Sequence, residues 1–191
     1  MKKRCSENYA WLKNSRRKIA ILLSINRPMT KTEIENKVRN DLSLSEKSNI
    51  RLKGFILRKL IFCLNPDSRE GRVYGLTDEG HVLAVRVSKE KGISWNYSNP
   101  DIDWNIFGWI ACGKRRRKKL KDIVSSGKAI TSKPTPEHKS SELIKDTPRS
   151  YKYRLLVEFC KKGLLSKSVE KGISIYKPTE KAVLMAELLK S

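Results

Sequence analysis

Apolar positions recur at helical spacing in the first part of the chain. Residues 8–25 carry their apolar side chains in a pattern typical of one helix buried along a single face. A turn follows, and Thr30 or Thr32 is expected to cap a second helix. Thr30 and Glu33 have the spacing of a capping box, in which each side chain bonds the backbone N–H of the other residue. A second helix is therefore predicted to start here.

A third helix is predicted from Ser43 or Ser45 to about Lys59. Either serine suits an N-cap, because its hydroxyl oxygen accepts a hydrogen bond from the first turn. The apolar residues of this segment fit two competing helical registers and leave its core face open: Ile50, Leu52, Phe55, Ile56 and Leu57.

The following segments predict a β-hairpin and then a helix. Residues 60–64 are apolar, residues 65–72 are polar and rich in turn formers, and residues 73–76 return as a second strand. Thr77 is expected to cap a closing helix that runs from about Asp78 to Val87. The first part of the chain thus reads as three helices, a hairpin and a helix.

The second half of the chain repeats the pattern of the first at a nearly constant offset of about 100 residues. Three pairs of segments match: 9–19 with 107–120, 26–30 with 127–131, and 74–79 with 176–181. A sustained offset indicates two copies of one structural unit. The expected domains are residues 1–90 and 104–191, joined by residues 91–103.

The second copy predicts the same elements as the first. Its first helix contains the basic run 114–119, and Pro148 suits the first turn of its third helix, which starts at Thr147. The other expected elements are a short helix at about 137–145, strands at 164–167 and 173–176, and a helix at 179–190 capped by Thr179. The closing helix has a wide apolar surface, which favours either packing within its own domain or a homodimer contact.

The connecting residues 91–103 include Trp95 and Tyr97. A flexible spacer would avoid aromatic side chains, so the two domains are expected to be docked. The alternative is that these rings form a stacking surface for exposed bases.

The segment CLNPDSREGRVYGLTDEG at 63–80 resembles the wing and the following helix cap of prokaryotic winged helix-turn-helix regulators. It is most similar to archaeal regulators whose third helix leads into C-L-N-P, G-R-x-Y and L-T-x-x-G. The similarity covers residues 9–88, and the second copy departs from the motif at Pro178 and Ala182. The resemblance implies two tandem winged helix-turn-helix domains, mainly α with small β-hairpin wings, in the α+β class.

The net charge of the chain indicates which class of partner it binds. Lys and Arg number 42 against 20 Asp and Glu, a formal net charge of +22. Residues 1–90 hold 20 of the basic and 10 of the acidic residues, so the surplus is shared by both copies. An excess of this size on two folded modules favours a polyanionic partner, with nucleic acid first.

Other classes are disfavoured. The start of the chain lacks the apolar segment of a secretory signal, and the longest apolar run, 19–23, is too short to span a bilayer. Four isolated cysteines and two histidines provide no metal-ligand spacing, and reduced thiols in a cytoplasmic protein are expected. Without a catalytic constellation or a phosphate-binding glycine loop, we expect no enzyme activity, cofactor or metal.

The resemblance also assigns candidate DNA contacts, since the third helix of a helix-turn-helix lies in the major groove. In the first copy the candidates are Ser45, Lys47, Ser48, Asn49, Arg51 and Lys53. In the second copy they are Thr147, Arg149, Ser150, Lys152 and Arg154. Contacts to phosphates or the minor groove are expected from the wings and from the basic helix: Arg69, Arg72, Lys167, Lys171, Arg115, Arg116 and Arg117.

The sequence therefore predicts a transcriptional regulator that binds double-stranded DNA sequence-specifically through two winged-helix modules. Two alternatives remain open. One is a tandem winged-helix adaptor that docks proteins of the transcription or replication machinery, with the second copy as its docking module. The other is an RNA-binding protein, which would require exposed aromatic side chains on a sheet.

Overall fold

The computed structural model describes residues 2–42, 50–131, 148–170 and 173–190. The chain divides into two compact units, Met1–Trp109 and Ile110–Ser191. Each unit combines helices with a small antiparallel sheet, so the predicted α+β class is confirmed. Residues 91–103, expected to connect the domains, lie within the first unit, and the division falls inside a later helix, α6 (Trp104–Cys112).

The first unit packs helices against a three-stranded sheet. Its elements are α1 Lys2–Lys13, α2 Arg16–Ser24, β1 Met29–Thr30, α3 Lys31–Leu42, α4 Lys53–Leu57, β2 Ile61–Cys63, β3 Val73–Leu76 and α5 Asp78–Glu90. The strands are antiparallel in the order β1-β3-β2, with Met29 opposite Tyr74 and Ile61 opposite Leu76. The apolar faces of the helices meet in one buried cluster that includes Leu22, Ile34, Phe55, Leu60 and Leu83.

The single first helix predicted over 8–25 is wrong, because the chain forms two helices that are separated at Ser15. The backbone of Ser15 is extended (φ −148°, ψ 108°), and its Oγ accepts a hydrogen bond from Lys18 N at 3.3 Å. A serine with this geometry is an N-cap, and its side chain competes with the backbone for the hydrogen bonds of a continuous helix.

The third helix of the first copy also differs from its prediction. In the described residues the helix begins at Lys53 and ends at Leu57, and Arg51 precedes it. Ile50 and Leu52 are both buried while Arg51 is exposed, a two-residue alternation that no helical face allows. Burial of two alternating side chains in the core therefore overrides the helical pattern at 50–52.

The register of this segment is settled by Phe55, which is buried, whereas Ile56 and Leu57 are exposed. Lys59, the predicted end of the helix, instead has a left-handed backbone with φ 55°. Leu60 N donates a hydrogen bond to Phe55 O at 2.9 Å, which closes the turn between the helix and β2.

The helix caps predicted in the first copy at Thr30 and Thr77 are confirmed. Thr30 N donates to Glu33 Oε2 at 2.7 Å and Glu33 N donates to Thr30 Oγ1 at 3.3 Å, so the capping box is confirmed. Thr77 caps α5, with Gly80 N donating to its Oγ1 at 3.0 Å. The hairpin is confirmed as β2 and β3, and α5 ends at Glu90, beyond the predicted Val87.

The second unit has the same kind of sheet, in the order β4-β6-β5. Its elements are α7 Lys114–Ser126, β4 Ala129–Thr131, α8 Pro148–Lys161, β5 Leu165–Glu170, β6 Ile173–Pro178 and α9 Glu180–Leu188. α8 begins at Pro148, which was predicted to lie in its first turn, and the strands are longer than predicted. Both β1 and β4 are strands that the sequence pattern did not predict. The expected helix at about 137–145 lies outside the described residues.

The two units repeat one local structure at the joint between hairpin and closing helix. In the first, Thr77 N donates to Leu60 O at 3.1 Å; in the second, Thr179 N donates to Leu164 O at 3.0 Å. Both threonines also cap the helix that follows. The repeat read from the sequence is therefore matched by equivalent hydrogen bonds in the two units.

Candidate nucleic-acid interface

Five basic side chains of the first unit line two neighbouring clefts beside α4. Arg51 and Lys53 line both clefts, which have volumes of about 550 and 830 Å³. The smaller cleft adds Lys31 from the start of α3, and the larger adds Arg17 and Lys18 from the start of α2. We call these five residues the α4 basic face. No Asp or Glu is among the described residues that line either cleft.

Helix caps explain why these cations lie where they do. Ser15 starts α2 directly before its run of basic residues, and Thr30 precedes Lys31 at the start of α3. The N-terminal turn of a helix has unpaired N–H groups and the positive end of the helix dipole. Basic side chains on these turns therefore add to a potential that already favours anions.

The cations of this face differ in how their own contacts hold them. Lys18 Nζ donates to Trp11 O at 3.0 Å and lies 4.1 Å from the centre of the indole ring. Lys31 Nζ lies 3.4 Å from Glu35 Oε1, so part of its charge is offset. The side chains of Arg51 and Lys53, beside the start of α4, are exposed to solvent. These two are therefore well placed to reach a phosphate.

Aromatic side chains near this face are used within the protein. The ring of Trp11 lies 4.1 Å from Lys18 Nζ and 4.7 Å from Arg58 Cζ, and it meets Phe55 edge-on at 5.1 Å. In the segment 91–103, Trp95 Nε1 donates to Leu23 O at 2.8 Å. These contacts give the rings structural roles and do not favour the alternative of a base-stacking surface.

The loop between β2 and β3, residues 64–72, is anchored by the buried Asn65. Asn65 Nδ2 donates to Gly71 O at 3.1 Å, and Asn65 Oδ1 accepts from Val73 N at 2.7 Å. The two arginines predicted to contact DNA from this loop, Arg69 and Arg72, are both exposed, and Arg72 Nε donates to Ser68 O at 3.3 Å. Both arginines are thus presented from a loop of defined shape.

In the second unit the predicted contacts fall on three elements. Arg115 on α7 is exposed, whereas Arg117 is half-buried and Arg116 Nη2 donates to Cys112 Sγ at 3.2 Å. Arg154 on α8 is exposed. Lys167 on β5 is also exposed, with its Nζ 6.0 Å from the ring centre of Tyr176. The backbone of the remaining three candidates lies near the start of α8: Arg149, Ser150 and Lys152.

The remaining candidates lie outside the described residues: Ser45, Lys47, Ser48, Asn49, Thr147 and Lys171. Of the first-copy candidates from the third helix, the structure brings Arg51 and Lys53 together. It adds Arg17, Lys18 and Lys31, which the sequence pattern did not single out. Arg17 and Lys18 could have been predicted from the repeat, because they align with the basic run at 114–119, which supplied predicted contacts in the second copy.

Among the residues that the structure describes, His, Cys, Asp and Glu form no group that could hold a metal ion. The helices that the structure describes include none with the length and apolar character needed to cross a membrane. No protein-family profile, no curated protein and no solved structure matches the chain.

Proposed function

We propose that the protein is a tandem winged-helix regulator that binds double-stranded DNA through the α4 basic face and through the basic residues of α8 in the second unit. The order of elements supports this proposal. From α2 to α5 the first unit runs helix, strand, helix, helix, hairpin, helix, which is the order of a winged helix with one added helix. The second unit runs helix, strand, α8, hairpin, helix over its described residues.

The observation that carries the proposal is the convergence of cations from three separate helices at the α4 basic face. In a winged helix the third helix enters the major groove, while neighbouring helix starts lie along the phosphate backbone. Arg51 lies just before α4 and Lys53 is its first residue, while Arg17 and Lys31 lie in the first turns of α2 and α3. This arrangement suits a duplex, whose phosphates flank the groove on both sides.

The net charge of +22 is consistent with phosphate contacts as the main source of affinity. Sequence discrimination would come from the third helices, at about 1–3 kcal/mol for each good bidentate contact to a base. Two reading modules in one chain would recognise a direct repeat or an extended site. A homodimer through α9 would present four modules to a palindrome.

A second candidate, the protein-docking adaptor, is favoured by one observation on the second unit. Val169 on β5 is 60% exposed and Ile173 on β6 is 40% exposed, so the end of this hairpin has apolar side chains in solvent. A wing that contacts phosphates would gain nothing from them, whereas a protein partner would bury them.

The test is a fluorescence-anisotropy titration of duplex DNA, the same strand unpaired, and duplex RNA, each at several salt concentrations. The variant Arg51→Ala/Lys53→Ala is compared with Lys89→Ala/Lys190→Ala, which removes two exposed cations elsewhere. We expect preferential duplex-DNA binding. The slope of log affinity against log salt should become shallower by about 0.9 for each phosphate that Arg51→Ala/Lys53→Ala no longer neutralises, and it should stay unchanged in the control variant.

Two outcomes would count against the proposal in different ways. Weak binding of all three nucleic acids would remove the DNA-binding function and favour the docking alternative, and equal affinity for the three would remove the preference for duplex DNA. Preferential duplex binding with the same salt slope in both double variants would leave DNA binding in place but move it away from the α4 basic face.

A further inference from the structure

A cleft of about 830 Å³ lies in the first unit between α2, α3 and residues 91–96. Its apolar lining is formed by Ile19, Ala20, Leu23, Ile93 and Trp95. Its volume is in the range of about 300–1,000 Å³ that is usual for small-ligand sites in proteins. The cleft is separate from the two clefts of the α4 basic face, although Ser15 lines both this cleft and the larger of those two.

The wall formed by residues 91–96 is held in place by hydrogen bonds to the end of α2 and the turn after it. Trp95 Nε1 donates to Leu23 O at 2.8 Å, and Ser98 N donates to Asn26 O at 2.9 Å. The indole of Trp95 also lies against Tyr97, with ring centroids 6.2 Å apart. A wall that is already ordered lowers the entropy cost of binding a ligand.

Most of the charged side chains around this cleft are basic. Four basic side chains line it, Lys13, Arg16, Lys37 and Lys91, against one carboxylate, that of Asp41. Lys13, Arg16 and Lys91 are exposed at the rim, whereas Lys37 is half-buried. An apolar interior below a cationic rim suits a ligand with an apolar body and a negative group.

Lys37 is the cation best placed to bind that negative group. Its Nζ donates to Asn26 Oδ1 at 2.9 Å, which uses one of the three N–H donors of an ammonium. Burial lowers the pKa of Lys37, and the nearby charge of Arg27 lowers it further, while Asp41 raises it. The ammonium has therefore lost part of its hydration, and in that setting an anion is attracted more strongly than at the surface.

We propose that this cleft binds a small amphipathic anion, with its apolar body against Leu23 and Trp95 and its carboxylate or sulfonate group at Lys37. The site is independent of the proposed DNA contacts, because none of the α4 basic face lines it. Charge-assisted hydrogen bonds to Lys37 would orient the ligand, and the apolar lining would supply most of the affinity.

The test uses the full chain and 8-anilinonaphthalene-1-sulfonate as the anionic probe, with the uncharged N-phenyl-1-naphthylamine as its matched control. Fluorescence titration and isothermal calorimetry give affinity and stoichiometry. We expect one saturable site for the anionic probe per chain, and binding of the neutral probe weaker by about tenfold or more, since charged hydrogen bonds contribute at least that much.

Three variants locate the site. Lys37→Gln keeps a hydrogen-bonding group beside Asn26 and removes the charge, and Ala20→Phe fills the cleft from α2. Lys89→Gln removes a charge from an exposed position of α5, outside this cleft and outside the α4 basic face. We expect the first two to weaken binding of the anionic probe by about tenfold or more. Lys89→Gln should bind like the wild type, and circular dichroism should report the same fold for all three.

Several results would overturn the proposal. One is binding of many probe molecules without saturation, as expected for a strongly cationic surface alone. Another is equal affinity for the two probes. The third is unchanged binding in Lys37→Gln and Ala20→Phe, or an equal weakening in all three variants.

Discussion

Gly108→Ala should destabilise the first unit, although alanine is the better helix former. Gly108 is buried in α6 against the loop between β2 and β3 of the same unit. A Cβ built at Gly108 would lie 2.0 Å from Gly71 O and 2.9 Å from Asn65 Nδ2. The first of these contacts is with backbone, so no change of rotamer relieves it. The loop must therefore move away from the helix.

The size of the effect follows from what that movement breaks. Asn65 Nδ2 lies 3.1 Å from Gly71 O and 3.4 Å from Trp104 O, and each hydrogen bond contributes about 1 kcal/mol. Overpacking a buried contact costs about 1–3 kcal/mol more. Replacing glycine by alanine within a helix stabilises the helix by about 1 kcal/mol. We expect a net decrease of about 2–4 kcal/mol in the free energy of unfolding, the balance of these terms.

Urea unfolding followed by tryptophan fluorescence and by circular dichroism measures this decrease, and both probes are needed because the chain has two units. Asn105→Ala is the matched control, since it raises helix propensity at an exposed position of the same helix. If Gly108→Ala were as stable as the wild type, or more stable, the close approach of α6 to the loop between β2 and β3 would be refuted.

Two further predictions concern the backbone and pH. Gly163 has φ 68°, and Lys59, its equivalent in the first unit, has φ 55°. Gly163→Ala should therefore lower the free energy of unfolding, measured in urea, by about 1 kcal/mol. Lys59→Gly should change it little. A destabilising Lys59→Gly would contradict the shared left-handed turn. Burial raises the pKa of Tyr97 above 10.0, so the phenol stabilises the fold below that pH, and this contribution disappears as the pH rises through the raised pKa. As the pH rises above about 10, Tyr97→Phe should therefore lose less free energy of unfolding than the wild type, measured by urea unfolding at several pH values. Equal losses in the two proteins would refute this role of the Tyr97 phenol.

Some parts of the candidate interface could be found in the sequence and others could not. Arg51 and Lys53 were selected because a third helix was expected there, and both line the α4 basic face even though Arg51 lies outside the helix. Lys31 was missed because its separation from Arg51 along the chain gives no sign that the two line one cleft. Only the packing of α3 beside the segment before α4 brings them together.

The break at Ser15 marks a second limit of the sequence pattern. Apolar residues continue through 8–25 at helical spacing, and they are buried on both sides of the break, as Leu12 and Leu22 demonstrate. The periodicity was therefore correct about burial and wrong about continuity. One serine hydroxyl, bonded to Lys18 N, decides where the new helix begins.

By itself the sequence determined the helix caps at Thr30, Thr77 and Thr179, the first hairpin, the repeat and the cationic surplus. Caps depend on residues three positions apart, and charge is a sum over the chain, so both are readable without a fold. The tertiary structure decided the length of α4, the assembly of the α4 basic face and the cleft beside Lys37. Each of these depends on segments far apart in sequence whose apolar side chains are buried together, and that burial, more than local preference, fixes which polar groups become neighbours.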